Sequence, residues 1–227
     1  GTDRVSHHHD QQRSGEKGYH LQKESVKMIK NIIFDIGNVL TDFRWKEFLL
    51  EKGLSEEMAA RVGRATVESP LWREFDRGEW SDEELLAHFI ENDPEIGDVI
   101  RRIFENIHGI VTLRDYAQAW VRELKGKGYG VWYLSNFAYK TETECADALA
   151  FLPDMDGGIL SYREKLIKPD PKIYQLFLTR FGLKAEECVF IDDLQANVEA
   201  ARKQGIAGIV FASRQQAETE LRMLGVI

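Results

Sequence analysis

Apolar runs alternate with amphipathic segments along the chain, and several of these runs end in polar side chains. The first run lies in Asn31–Leu40, where Asn-Ile-Ile-Phe leads into Asp35 and then Gly37. A β-branched and aromatic run that ends at a turn predicts a strand buried on both faces. Because ligands of open parallel sheets bind beyond the carboxyl ends of the strands, we expect Asp35 to face a crevice. Alone, this position also suits an ordinary helix-capping aspartate.

The segment from about Trp45 to Ile107 has helical periodicity and contains no predicted strand. Ser55 predicts a helix N-cap, Gly78 a helix C-cap, and the pair Ser81–Glu84 a capping box. Since this segment lies between one predicted strand and the next, we expect a small all-helical cap inserted over the crevice. The predicted cap spans residues 43–110.

From Thr112 onward, helical patterns and apolar runs alternate regularly. This alternation predicts an α/β fold, a doubly wound parallel sheet, with residues 28–42 and 111–227 as its core and residues 1–27 as an N-terminal extension. The predicted strands are Val131–Leu134, Gly158–Ser161, Cys188–Ile191 and Ile206–Phe211, and the predicted helices span about 112–127, 139–150, 171–181 and 194–204, with a last helix capped by Ser213.

Composition narrows the range of partners. The formal net charge of −8 repels a nucleic-acid backbone, so we expect no nucleic-acid partner and a locally positive pocket for any small anionic substrate. With no long apolar run and no basic-then-apolar leader, the sequence predicts no membrane association and a cytoplasmic location. Cys145 and Cys188 do not have the spacing of a disulfide framework or zinc site. Nothing in the sequence predicts an oligomeric state.

Four predicted strand ends or adjacent turns bring polar groups to one rim. Individually, each has an ordinary explanation as a cap, a solvated charge or a helix-dipole partner, but together they are improbable as accidents. Clustered carboxylates raise one another's pKa unless a cation compensates them, and oxygen-only ligands suit Mg²⁺. A lysine, a hydroxyl and backbone N–H groups match the needs of a transferring phosphoryl group. The groups are Asp35, Ser135–Asn136, Lys168 and Asp192–Asp193.

These motifs resemble those of the haloacid dehalogenase superfamily. In that superfamily an Asp follows an apolar strand, a Ser or Thr follows the next strand, and a Lys and an acidic pair come later. The same order is present between Met28 and Ile227. The runs Phe-Asp-Ile-Gly-Asn-Val-Leu and Ile-Asp-Asp-Leu-Gln-Ala-Asn are similar to a subgroup that includes sugar phosphatases. The resemblance implies a Rossmann-like core, a helical cap and a magnesium-dependent phosphatase acting on a small phosphorylated metabolite.

The resemblance also implies a role for each matching residue. Asp35 would be the nucleophile that forms an aspartyl-phosphate. Ser135, Asn136 and Lys168 would hold the phosphate. The metal ligands would be Asp35, the Gly37 carbonyl and Asp193, with Asp192 ligating directly or from behind and Asn197 supporting the acidic loop.

Gly37 departs from the family pattern. Most phosphatases of the superfamily carry a second Asp at this position as general acid and base, and a glycine cannot transfer a proton. Such help is worth about two to four orders of magnitude in rate. Without it the rate depends more steeply on leaving-group basicity, so the sequence predicts a preference for sugar 1-phosphates, acyl phosphates and aryl phosphates. Asp42 and Asp193 are conceivable replacements.

Two other functions stay open on the sequence alone. A metal-independent haloacid dehalogenase also attacks through an Asp and lacks the second acid, although the acidic pair argues for a cation. The second alternative is a non-catalytic protein that binds a phosphorylated metabolite.

Overall fold

A computed structural model describes residues 28–226, and the predicted extension 1–27 lies outside the described residues. Its central sheet has five parallel strands in the order β5-β4-β1-β6-β7. The sheet confirms the predicted doubly wound α/β fold, in which the first strand of the chain lies at the centre. The strands are β1 (Asn31–Phe34), β4 (Gly130–Ser135), β5 (Gly157–Leu160), β6 (Cys188–Asp192) and β7 (Ala207–Val210).

Apolar side chains cover both faces of the sheet. Ile33 packs on one face with residues of α9 (Pro171–Phe181) and α10 (Gln195–Lys203). Its neighbours Ile32 and Phe34 pack on the opposite face with Trp120 of α6 (Ala117–Gly126) and Leu221 of α11 (Arg214–Met223). This division follows from the period of two along a strand. The helices are α6 (Ala117–Gly126), α7 (Tyr139–Glu144), α8 (Ser161–Glu164), α9 (Pro171–Phe181), α10 (Gln195–Lys203) and α11 (Arg214–Met223).

Five helices lie between β2 (Thr41–Phe43) and β3 (Val111–Leu113), which pair in an antiparallel two-stranded sheet. We call this segment the helical insertion. Its predicted caps are confirmed: the Ser55 side chain accepts a hydrogen bond from the Met58 amide, Gly78 is left-handed at φ 69°, and Ser81 forms a capping box. The helices are α1 (Trp45–Glu51), α2 (Glu56–Ala65), α3 (Trp72–Arg77), α4 (Asp82–Asn92) and α5 (Gly97–Phe104).

Several predicted boundaries were wrong. The strand β3 occupies the place where a helix was predicted to begin at Thr112, and α6 begins only at Ala117. Likewise, the helix predicted over 139–150 ends at Glu144 and continues as a short 3₁₀ helix. Strands of three residues such as β2 and β3 are too short to show a period, and their partner is far away in the chain.

No helix in the described part of the chain is both long and apolar enough to cross a membrane.

Candidate active site

Asp35 lies directly beyond β1, where the parallel strands end. Its Oδ1 accepts hydrogen bonds from the Ile36 amide and the Ser135 hydroxyl, both at 2.8 Å, and Lys168 Nζ lies 2.8 Å from the same oxygen. No described residue donates a hydrogen bond to Oδ2. One oxygen is therefore fixed by the protein while the other remains available to a ligand.

Asp192 lies beside Asp35 because Ile191 of β6 pairs with Phe34 of β1. Its side chain is fully buried. Oδ1 accepts from the Leu194 amide at 2.8 Å and from Asn197 Nδ2 at 3.2 Å. Oδ2 accepts from Lys168 Nζ at 2.6 Å and Asn197 Nδ2 at 3.0 Å. Both oxygens are thus engaged by protein donors, and Asp192 holds Lys168 in place.

Asp193 completes an acidic cluster, in which each of Asp35, Asp192 and Asp193 offers an oxygen within 4.8 Å of the others. Its Oδ2 accepts from Asn38 Nδ2 at 3.3 Å, and no described residue donates to Oδ1. Three carboxylates face one ammonium group, so two negative charges stay uncompensated when all are ionised. Free carboxylate oxygens in this setting fit a divalent cation that prefers oxygen ligands.

The loop after β4 brings in the other predicted residues. Ser135 is buried, and Asn136 is tied to the lysine loop because its Nδ2 donates to the Lys168 carbonyl at 3.0 Å and its Oδ1 accepts from the Lys168 amide at 2.8 Å. This reciprocal pair fixes the Lys168 backbone. Its ammonium group therefore reaches Asp35 and Asp192 from a rigid base.

Burial dominates the electrostatics of the site. It raises the pKa of Asp35 to about 7, against the attraction of Lys168 and with further raising by Asp192 and Asp193. Burial also raises the pKa of Asp193, and Asp192 adds to that shift. For Lys168, burial lowers the pKa, but the charges of Asp192 and Asp35 outweigh it and raise the pKa above its ordinary value. The lysine thus stays charged.

A cavity of about 550 Å³ opens above these groups. Every predicted site residue except Asp192 lines it: Asp35, Gly37, Ser135, Asn136, Lys168 and Asp193. The structure thus brings the predicted residues together, with Asp192 buried behind Lys168. The side of the helical insertion contributes Phe43, Trp72, Arg73 and Asp76.

Two further residues that line the cavity, Asn38 and Asp76, were not predicted from the sequence. Asn38 has a left-handed backbone at φ 57°, and its side chain bridges Asp193 and the Phe43 amide. The Gly-Asn pair was its signal, since Asn tolerates this conformation at turns. Asp76 lies on α3, more than forty residues after Asp35, and has no local sequence signal.

A model of the haloacid dehalogenase-like hydrolase family matches residues 29–205. The chain is 26% identical over 195 residues to a sesquiterpene phosphatase of Aspergillus oryzae, a match that covers 86% of this chain and 96% of that protein. It is also 25% identical over 198 residues to a D-ribitol-5-phosphate phosphatase of Bacteroides thetaiotaomicron, covering 78% of this chain and 89% of that protein.

Solved structures share the fold. A haloacid dehalogenase family enzyme of Bacteroides thetaiotaomicron, in complex with magnesium and inorganic phosphate, matches with a TM-score of 0.60 and 20% identity, over 82% of this chain and 96% of that one. An L-2-haloacid dehalogenase of Xanthobacter autotrophicus matches with a TM-score of 0.57 and 17% identity, over 88% of this chain and 85% of that one. Solved structures with this fold therefore include both a complex with magnesium and phosphate and a haloacid dehalogenase.

Proposed function

The chain belongs to the haloacid dehalogenase-like hydrolase family, and from this premise we propose that it is a magnesium-dependent phosphatase. It hydrolyses a small phosphorylated metabolite through an aspartyl-phosphate on Asp35. The observation that carries this proposal is the free Oδ2 of Asp35 on the floor of the cavity, beside Lys168 and the acidic cluster. Similarity to two phosphatases supports the phosphate ester as substrate.

Each side chain has a defined task in this reaction. The Ser135 hydroxyl and Lys168 hold Oδ1 of Asp35, so that Oδ2 is aimed at the phosphorus atom. Lys168 would also neutralise charge on the phosphoryl oxygens, while Asn136 holds the Lys168 backbone through two hydrogen bonds. Asp35, Gly37 and Asp193 would hold the metal, with Asp192 behind them. When bound, magnesium would neutralise charge on the phosphate and the acidic cluster.

The acidic cluster is the observation that favours a phosphatase over a dehalogenase. The two uncompensated negative charges of the cluster, which includes Asp35, would repel a haloacid carboxylate, whereas a bound cation would convert the cluster into a phosphate site. The predicted cap, residues 43–110, contains the helical insertion, and we propose that it closes one side of the cavity through the residues it contributes to the lining. A cytoplasmic location and the absence of a nucleic-acid partner stay predictions from the sequence.

Hydrolysis of 4-nitrophenyl phosphate with and without magnesium tests the function. We expect turnover only with the metal, and an Asp35→Asn variant that folds but is inactive, because an amide cannot attack phosphorus as a carboxylate does. Asp42→Asn is the matched control, since Asp42 pairs with Arg114 at 2.8 Å and does not line the cavity. Metal-free halide release from 2-haloacids would establish the dehalogenase instead, and phosphate binding without turnover would establish the non-catalytic alternative.

A further inference from the structure

The proposed phosphatase lacks a side chain that can move a proton at position 37. Neither replacement suggested by the sequence fills this role. Asp42 is paired with Arg114 and does not line the cavity. Asp193 is bound by Asn38 and belongs to the acidic cluster, where a cation would keep it ionised. A proton donor has to come from another wall of the cavity.

Asp76 lies on that other wall. It is the fifth residue of α3 in the helical insertion, and it lines the same cavity as Asp35. No described residue forms a hydrogen bond or an ion pair with its carboxyl group. Asp93 of the same insertion, in contrast, forms an ion pair with Arg61. Because the Asp76 carboxyl group has no such partner, it is free to contact a ligand in the cavity.

The backbone of Asp76 is anchored to the core. Its carbonyl accepts a hydrogen bond of 2.5 Å from Ser161 Oγ, and Ser161 Oγ in turn accepts a hydrogen bond from the Phe137 amide at 2.9 Å. Ser161 is fully buried at the end of β5. Phe137 follows Ser135 and Asn136 directly, so a single buried hydroxyl joins α3 to the loop that carries the predicted phosphate ligands. Asp76 therefore has a fixed position relative to the reacting groups.

The electrostatic setting suits proton transfer near neutral pH. Burial raises the pKa of Asp76 to about 7, the charge of Asp35 raises it further, and Lys168 opposes the shift. Arg73 on the same helix and Asp193 across the cavity are the other charged groups that line this space. A carboxyl group with such a pKa is protonated often enough to donate and ionised often enough to accept.

We propose that Asp76 is the general acid and base of this enzyme, acting from the helical insertion in place of a side chain at position 37. The assignment rests on the proposed phosphatase function. In the first step, an Asp35 oxygen bonds to phosphorus, the bond from phosphorus to the leaving oxygen breaks, and Asp76 gives its proton to that oxygen. In the second step, the Asp76 carboxylate takes a proton from water, whose oxygen bonds to phosphorus as the bond to Asp35 breaks. Phosphate leaves and Asp76 is protonated again.

This assignment changes the expected substrate preference. A positioned acid makes the rate less dependent on the basicity of the leaving oxygen. The natural protein then hydrolyses esters of ordinary alcohols, and the preference for sugar 1-phosphates predicted from Gly37 has no chemical basis. Selection among substrates would come from the shape and charge of the cavity instead.

The test compares kcat/KM, which depends only on the steps up to release of the leaving group, for Asp76→Asn and the natural protein over a series from 2,4-dinitrophenyl phosphate through phenyl phosphate to alkyl phosphates. We expect a loss of about a hundredfold or more for alkyl phosphates and little loss for 2,4-dinitrophenyl phosphate, whose leaving group needs no proton. Asp76→Glu should recover part of the rate. Glu74→Gln is the matched control, because Glu74 lies on the same helix, pairs with Arg77 and does not line the cavity.

A rescue variant separates catalysis from structure. A Cβ at Gly37 would meet no atom within 4 Å, and its φ is not left-handed, so Gly37→Asp fits without strain. In the Asp76→Asn background it should restore turnover of alkyl phosphates. If Asp76→Asn does not fold, Asp76→Ser replaces it.

Two results would overturn the assignment: an equal loss of kcat/KM across the whole series, or no loss of kcat/KM for alkyl phosphates. Failure of the proposed function looks different, since the natural protein would then show no magnesium-dependent turnover even of 2,4-dinitrophenyl phosphate.

Discussion

At the scale of single residues, the neighbours Asp192 and Asp193 have opposite environments. Both oxygens of Asp192 accept hydrogen bonds from protein groups, whereas Asp193 has one oxygen without a described donor. The resemblance implied that Asp193 is a metal ligand and that Asp192 ligates the metal directly or supports the site from behind. The hydrogen bonds support Asp193 as the ligand and Asp192 as the residue that positions Lys168.

The first prediction follows from this difference. Asp193→Asn should weaken magnesium binding by about tenfold or more, whereas Asp192→Asn should weaken it less but lower turnover and cost about 1–3 kcal/mol of stability, because Lys168 loses a buried partner. Calorimetric titration with magnesium and thermal melts measure the two effects. Lys168→Ala should also leave most magnesium affinity, so equal affinities in the Asp193 and Lys168 variants would refute the metal-site assignment.

Sequence reasoning found those site residues whose position follows from local pattern. Asp35, Ser135 and Asp192 each lie at the end of a strand, where parallel pairing alone places polar groups at one edge. Asp76 lies in the last turn of α3 and reaches the cavity only through the packing of α3 on the core. Nothing in its neighbours indicates that tertiary contact. Sequence therefore predicted the floor of the candidate site and missed Asp76 on the opposite wall.

At the scale of elements, the end of α3 is set close against α8. A Cβ on Gly78 would lie 2.9 Å from Tyr162 Cβ, and Gly78 is left-handed at φ 69°. The Lys165 side chain also bonds the Gly78 carbonyl. The contact between Gly78 and Tyr162 and the hydrogen bond from the Ser161 hydroxyl together fix the position of Asp76 relative to the core.

The second prediction concerns Gly78→Ala. It combines backbone strain with a close contact, so it should shift α3 and reduce kcat/KM for alkyl phosphates more than kcat/KM for 2,4-dinitrophenyl phosphate. Gly53→Ala is the control, because Gly53 is left-handed at φ 85° with nothing within 4 Å of its Cβ. Gly53→Ala should cost about 1–2 kcal/mol of stability without changing the leaving-group dependence. The same dependence in both variants would show that the α3–α8 contact does not position Asp76.

Elements with strong local signals were predicted well, and those defined by remote partners were not. The helices with a cap and an apolar stripe, such as α4 and α9, have the predicted positions. The pair β2 and β3 was missed because its two short strands are separated by the 67 residues 44–110 and are linked only through tertiary structure. Helical periodicity could not indicate that the insertion begins and ends in one small sheet.

At the scale of the whole molecule, the active-site crevice concentrates negative charge that folding must bury. Asp35 and Asp76 both have pKa values of about 7 in the folded protein, raised from 3.8 mainly by burial. Each carboxyl group is therefore harder to ionise in the folded state than in the unfolded state. Folding thus favours their protonated forms, and stability is coupled to pH through the same groups that are proposed to perform the reaction.

The last prediction is the pH dependence of stability without metal. A carboxyl group with a raised pKa contributes stability that is fully present below about pH 3.8 and is lost as the pH rises through about 7. Within that window the free energy of unfolding should fall with pH, by up to about 1.4 kcal/mol per pH unit for each group. Asp35→Asn and Asp76→Asn should each flatten the curve between pH 4 and 7 and raise stability at pH 7. Magnesium should flatten it for the natural protein, because the cation compensates ionised Asp35.

Denaturant unfolding across this range measures the slopes, with Asp42→Asn as the control that keeps the natural slope. Equal slopes in the natural protein and in both variants would show that neither carboxyl group has a raised pKa in the folded state, and the electrostatic account of the crevice would then be wrong.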